Sequence, residues 1–391
     1  MRARLGLFAF LDEVGPLITL HTLWFADHGV SASEISAVFV LWAAVGVVLE
    51  VPSGAVADRV DRRRLIAGAV ALRAVGIAVW MVWPTVAGLA VGAVLWAVHS
   101  AFASGAWEAL IHDQLAAVGQ EDDYARTHAR VEQASTAGIF VGTVAALAGL
   151  QLGASLLVLG WVTVALHGPS LLLMATLPAV PRVDDDEALT LASWWRTLRR
   201  GVHEVTHTPV TGRLVGVGAL LGGLFLVDEY VPLLGRVRKA SDAEATALVL
   251  VVWLGGLAGS EVAARFDRLP SRSVGALLLG GLGVACLGLG AGPWWMLPLL
   301  AVGYGAQFVA HLHSDARLQE RLDSAHRATA TSVRELLSNG ISMGVLVIVG
   351  WLSVGDDPTA GLWVMLAGIA ASAVLLIRWV PDPAPIAEGT P

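Results

Sequence analysis

Twelve stretches of about twenty mostly apolar residues, one after another, leave this chain very few ways to fold. They run 5–26, 34–57, 65–83, 86–111, 131–150, 155–177, 212–235, 244–263, 274–291, 294–315, 329–350 and 361–379. A hydrocarbon core of about 30 Å takes roughly 20 residues of helix. Backbone polar groups have no water to pair with there, so each stretch is predicted to be a helix that satisfies its own backbone. Only 15% of the 391 residues are charged and 56% are hydrophobic, with a mean hydropathy of +0.69; an ordinary soluble domain has about 25% charged residues. The expected fold class is an all-α membrane protein with 12 transmembrane helices in two pseudo-symmetric six-helix bundles.

Charge gives the orientation. Arginines cluster in the even-numbered gaps: Arg59, Arg62, Arg63 and Arg64; Arg126 and Arg130; Arg182, Arg196, Arg199 and Arg200; Arg265, Arg268 and Arg272; Arg317, Arg321 and Arg327. The odd-numbered gaps hold only Arg236, Arg238 and Lys239. The positive-inside rule then predicts both termini in the cytoplasm, with Trp83, Trp294, Trp295 and Trp351 at the outer ends. MRARLGLFAF reads as a retained first helix, because no small-residue cleavage site follows it. The abundance of arginine over the single Lys239 hints at a GC-rich bacterial genome, so the expected location is a bacterial cytoplasmic (inner) membrane. The lone Cys286 excludes a disulfide framework and a cysteine metal site.

Four domains are expected: a six-helix bundle over 1–177, a cytoplasmic linker over 178–211, a second bundle over 212–380 and a tail over 381–391. In the linker, LASWWRTLRRGVHEV reads as an amphipathic basic helix suited to the inner leaflet surface, with a solvated linker as the alternative. The two halves repeat. Asp113 and Asp315, Thr127 and Thr329, Gly138 and Gly340, and Gly142 and Gly344 lie 202 apart; Glu50 and Glu261 lie 211 apart; Ser31/Glu34 and Ser241/Glu244 lie 210 apart. Parallel repeats of this kind are one known transporter plan.

The sharpest motif is GAVADRVDRRR, 54–64, preceded by Glu50-x-Pro52. It resembles the G-x-x-x-D-R-x-G-R-R loop between helices 2 and 3 of the major facilitator superfamily. A degraded second copy, EVAARFDRLPSR (261–272), and SGAWEALIHDQL (104–115) add to the likeness, which extends over the whole chain and is similar to a drug-efflux subgroup. The resemblance implies a transporter rather than an enzyme, with no cofactor, and a cytoplasmic latch of Gly54, Asp58, Arg59, Arg62 and Arg63, helped by Asp267 and Arg268. There are departures. Asp61 stands where the motif has glycine, so the turn must accommodate a side chain. Segment 4 lacks the arginine of many proton-coupled antiporters, with His99 nearby, and segment 5 has no Gly-Pro pair.

Two acid pairs inside apolar segments point to chemistry: Asp12-Glu13 in FLDEVGPLITL and Asp228-Glu229 in LFLVDEYVPLL. A carboxylate at the bilayer centre costs about 2.5–3.5 kcal/mol, so such a residue marks a wet passage, a cation partner or a proton site. On a continuous helix Asp12, Gly15, Thr19 and Thr22 share a face, which places Asp12 on a substrate or proton pathway and Glu13 at a helix seam. Pro16 and Pro232 each free the carbonyl four residues earlier. Asp228 lies six residues nearer its capping motif than Asp12 does, so either a midplane site or a salt bridge with Arg236 or Lys239 at the outer mouth is open.

Among the remaining intramembrane charges, Glu50 is the expected partner of Arg73, and Glu108, His112, Asp113 and Asp315 are expected at the cytoplasmic gate. His99 or His112 is a candidate proton carrier. HEVTH, 203–207, matches the H-E-x-x-H zinc-protease pattern, but Thr208-Pro209 ends it and no third ligand is in reach, so no metal is expected. No Walker loop and no basic-aromatic patch is present, which argues against ATP-driven pumping and nucleic-acid binding. The expected partners are a small-molecule substrate, protons and the bilayer, and a monomer is expected. The function expected from all this is secondary transport, as proton-coupled efflux of a small hydrophobic or cationic compound by alternating access. Symport of a nutrient is the alternative, and a membrane zinc protease the remote one.

Overall fold

The computed structural model describes residues 1–57, 60–178, 199, 209–266, 268–290, 292–321 and 324–382. They form α1 (Arg2–Glu13), α2 (His21–Asp27), α3 (Ala32–Ala57), α4 (Arg62–Val82), α5 (Val86–Ala116), α6 (Tyr124–Gln151), α7 (Leu156–Ala175), α8 (Pro209–Gly223), α9 (Val227–Val237), α10 (Asp242–Arg265), α11 (Ser271–Leu289), α12 (Leu300–Gln319), α13 (Ser324–Leu352) and α14 (Thr359–Trp379). Among the described residues, eleven spans are long and apolar enough to cross a membrane. The first crossing makes twelve: it is broken into α1, a 3-10 turn at Ile18–Leu20 and α2, each piece too short to be counted. The fold class expected from the apolar runs is therefore observed.

The chain divides into two compact units. One comprises Met1–Trp194 with Ala240–Leu250 and Val354–Asp356; the other comprises Trp195–Lys239, Val251–Ser353 and Asp357–Pro391. The linker helix apart from Arg199, the HEVTH stretch, Asp58, Arg59, Asp267 and all but the start of the tail lie outside the described residues.

Helix starts follow local chemistry. Ser31 and Glu34 form a capping box, the backbone N–H and hydroxyl of Ser31 both donating to Glu34 Oε2 at 2.8 and 2.7 Å. Ser241 and Glu244 repeat it at 2.7 and 2.8 Å. Close helix approach rests on glycine. A Cβ on Gly138 of α6 would stand 2.4 Å from the Phe10 carbonyl of α1, and one on Gly142 2.9 Å from Gly15 N. Their sequence repeats, Gly340 and Gly344, have open space around them, so the duplication in sequence is not a duplication in packing.

The breaks in the first and seventh crossings are the features that position the site. The first falls at 14–17, where Pro16 has no N–H to donate. The second falls at 224–226, just after Gly222-Gly223, while Pro232 lies inside α9 without interrupting it. The same spacing separates Glu13 from Gly223 as separates Ser31 from Ser241, so the two breaks occupy matching places in the two halves. Asp12 and Glu13 are the last two residues before their break; Asp228 and Glu229 lie in the first turn after theirs. This accounts for the six-residue offset between the acid pairs.

Candidate functional site

The first break overturns the single helical face expected for Asp12, Gly15, Thr19 and Thr22. After Glu13 the chain turns: Gly15 N donates back to the Glu13 carbonyl at 2.8 Å, and Leu17 N donates to Thr163 Oγ1 of α7 at 2.9 Å. Thr19 is thereby carried into the 3-10 turn, where its hydroxyl lies 3.3 Å from that of Thr143.

Into this turn reaches Arg73 of α4, whose side chain is 2% exposed. Its guanidinium makes a two-pronged contact with Glu13, NH1 to Oε1 and NH2 to Oε2, both at 3.1 Å. NH1 also donates to the Asp12 carbonyl at 3.1 Å and, more weakly, to Asp12 Oδ2 at 3.4 Å. The Trp96 ring closes the arrangement, with the Arg73 guanidinium carbon 4.9 Å from its centroid. Arg73 thus pairs with Glu13 and Asp12 among the described contacts, and the side chain of the expected partner, Glu50, lies outside the described residues. The break leaves the Asp12 carbonyl without a helical partner, and the guanidinium takes it.

Asp12 is the less satisfied acid. Its Oδ1 is buried with no hydrogen-bond partner, and His99 Nε2 of α5 stands 3.8 Å from its Oδ2. His167 of α7, which no sequence motif singles out, joins the cluster. Its Nδ1 donates to the Thr163 carbonyl at 2.8 Å, because a carbonyl can only accept, and its bare Nε2 is buried without a partner. One guanidinium here faces two carboxylates.

The second acid pair is held differently. Asp228 Oδ2 accepts from Trp253 Nε1 at 3.0 Å, with Tyr304 nearby. Glu229 lies beside it. Among the described residues no basic side chain pairs with either acid, so the salt bridge near Arg236 or Lys239 is not the arrangement found. Phe225 packs on Tyr304, Phe308 and His311 with ring centroids 5.6, 4.7 and 5.4 Å away.

At the charged end of the first unit, Arg62 pairs with Asp113, and Arg63 pairs with Asp61 at 2.8 Å while donating to the Leu177 carbonyl at 2.6 Å. Asp61 is not in a left-handed turn. Its φ of −54° is ordinary, and it caps α4 by accepting from Arg63 N and Arg64 N, which explains why aspartate suits a position where the motif has glycine. Hydrogen bonds from Arg63, the largest influence, hold its carboxyl below the usual range. Glu108 and His112 are exposed, the latter 6.0 Å from the Tyr124 ring. Asp315 binds Arg334, which also binds Glu335 at 2.7 Å, and Arg268 is exposed. Gly54 lies within α3. Among the described residues there is no group of three or more metal-ligating side chains.

The sequence matches the Major Facilitator Superfamily over residues 5–345. The chain belongs to that superfamily. No curated protein matches it. Among solved structures, it is similar to a mutant of the nucleoside transporter NupG, with a TM-score of 0.79 at 15% identity, covering 97% of this chain and 99% of that one. It is also similar to a bacterial homologue of the iron transporter ferroportin, in an inward-facing state (0.73, 15%, 97% and 98%). A D-xylose–proton symporter is a third (0.68, 17%, 97% and 97%). At these identities the likeness shows the major facilitator fold alone. Membership makes this a multi-pass membrane transporter of small molecules, a family whose members are generally not enzymes.

Proposed function

We propose that this major facilitator protein is a proton-coupled exporter of small hydrophobic or cationic compounds. It works by alternating access in a bacterial inner membrane, with both termini in the cytoplasm. The observation that carries the reading is the unequal division of Arg73. Glu13 takes the guanidinium fork, and Asp12 keeps a buried oxygen without a partner beside His99. A buried carboxylate without a full counter-charge is stabilised by taking a proton. Asp12 is the proton carrier in this reading, with His99 the nearest group to exchange with it, and Glu13–Arg73 is the fixed pair that holds the cluster together.

The cargo side rests on Asp228 and Glu229. An acid pair with no basic partner among the described residues, beside Trp253 and Tyr304, suits a cation or an amphipathic amine. Arg62–Asp113, Arg63 and Asp315–Arg334 support a gating role for the charged ends of the helices. Uptake by symport is the second reading, favoured by the resemblance to a protein named a D-xylose–proton symporter.

The test is flux of a substrate panel in proteoliposomes under an imposed pH gradient. Accumulation driven by an opposing proton flow is expected for a cationic compound, and Asp12→Asn is expected to abolish that drive while leaving substrate exchange without a gradient. Gradient-driven accumulation that survives in Asp12→Asn overturns the assignment, and accumulation in the direction of proton flow selects symport.

A further inference from the structure

Three consecutive arginines open α4, and the structure treats them unequally. Arg62 is engaged by Asp113, and Arg63 by Asp61 and the Leu177 carbonyl. Arg64 uses only its backbone N–H, on Asp61 Oδ1 at 3.2 Å. Its side chain is exposed, and among the described residues no carboxylate stands within ion-pair distance of it. That unspent charge sits at the end of a groove of about 390 Å³ on the first unit, lined by Arg64, Leu65, Gly68, Leu72, Val98 and Phe102 along the seam of α4 and α5.

Arg64, Gly68 and Leu72 recur every four residues, so they form one stripe about 12 Å long at 1.5 Å per residue. Gly68 gives the stripe its depth. A Cβ there would meet nothing within 4 Å, so this glycine serves no close helix contact and leaves a notch instead. The apolar part lies on two membrane-spanning helices, and the cation lies in the first turn of one of them, at the depth where a spanning helix meets headgroups. A cationic end and an apolar trough match an amphiphile with an anionic head and a long hydrocarbon tail. Basic pockets between transmembrane helices near the interface take lipid headgroups by the same complementarity.

We propose that this groove binds a phospholipid of net negative charge, with its phosphate held by Arg64 and one acyl chain lying over Gly68 and Leu72. Free phosphate shares the head chemistry but leaves the trough empty, and a zwitterionic lipid fills the trough without the net charge.

The full chain, purified in mild detergent, is titrated with phosphatidylglycerol, with phosphatidylcholine of the same tails and with inorganic phosphate, and bound lipid is read by native mass spectrometry. Phosphatidylglycerol is expected to be retained over phosphatidylcholine. Arg64→Gln is expected to remove that preference, about fivefold in affinity for the loss of one interfacial cation, while Arg64→Lys keeps most of it. Gly68→Leu fills the notch and is expected to weaken both lipids. Arg64 makes no side-chain hydrogen bond among the described residues, so a melting temperature at the wild-type value shows that the Gln variant is folded. Equal retention of the two lipids by the wild type overturns the proposal, as does phosphatidylglycerol binding unchanged in both Arg64→Gln and Gly68→Leu. Displacement of phosphatidylglycerol by an equal concentration of inorganic phosphate overturns it too, because it shows an anion site without a lipid.

Discussion

Arg73 carries five N–H donors in a rigid fork, and how they are divided decides what each neighbouring acid can do. A planar fork matches one carboxylate, and Glu13 has it, with two contacts at 3.1 Å against the single 3.4 Å contact left for Asp12. Exposure supports the same division of roles: the Arg73 side chain is 2% exposed, so the pair works in a weakly screened setting rather than as a surface ion pair. Removing one member of a buried pair leaves an uncompensated charge, which costs about 3–5 kcal/mol, whereas replacing both by apolar groups is often neutral. Arg73→Met is therefore expected to lower stability by about that amount, and Arg73→Met with Glu13→Met to recover more than half of it. Equilibrium unfolding in mixed micelles measures both. A single variant as stable as the wild type would mean that water, not Arg73, compensates the acids.

At the scale of elements, the two broken crossings raise the same difficulty: the last four carbonyls of a helix have no partner within it. At the end of α1, Phe10 O accepts from Val14 N, Glu13 O from Gly15 N and Asp12 O from Arg73. At the end of α8, Gly222 O accepts from Phe225 N, while Leu221 O is taken by Gln307 Nε2 of α12 at 3.0 Å and Gly223 O by the Ser342 hydroxyl of α13 at 3.0 Å. Irregular backbone at membrane depth persists only where neighbours satisfy it in this way. Gln307→Met keeps the shape of the buried side chain but orphans the Leu221 carbonyl, and is expected to lower stability by about 1–3 kcal/mol in thermal unfolding. An unchanged midpoint would show that another donor reaches that carbonyl. The crossings themselves were legible, because twenty apolar residues in a row admit little else, and Pro16 marked the first break. The second break was not, because α8 ends at two glycines while the more conspicuous Pro232 sits inside α9. The acids and Arg73 stood out through the cost of charge in lipid. Their partners did not: a helical-face argument supposes an unbroken helix, and neutral side chains such as Trp253, Tyr304, His167 and Gln307 carry no such cost to draw the eye.

Across the whole molecule, the duplicated plan places its acids on opposite sides of matching breaks, and the helix dipole makes that difference chemical. Asp12 and Glu13 end α1, where the partial charge is negative and a carboxylate is disfavoured; Asp228 and Glu229 sit in the first turn of α9, where it is positive. The first pair accordingly has an internal cation, Arg73. The second accepts from Trp253 and has no basic partner among the described residues. The proposed function then assigns coupling to the first unit and cargo charge to the second. Asp228→Asn is expected to reduce the preference for a cationic substrate over its neutral isostere by about tenfold, the equivalent of ~1.4 kcal/mol, while the response of flux to the pH gradient keeps its wild-type form. Asp12→Asn is expected to do the reverse, losing the gradient response with the preference intact. Paired measurements of the two variants on one cationic and one neutral substrate decide the matter. If either substitution moves both properties together, proton and cargo compete for the same carboxylates and the two units do not divide the work.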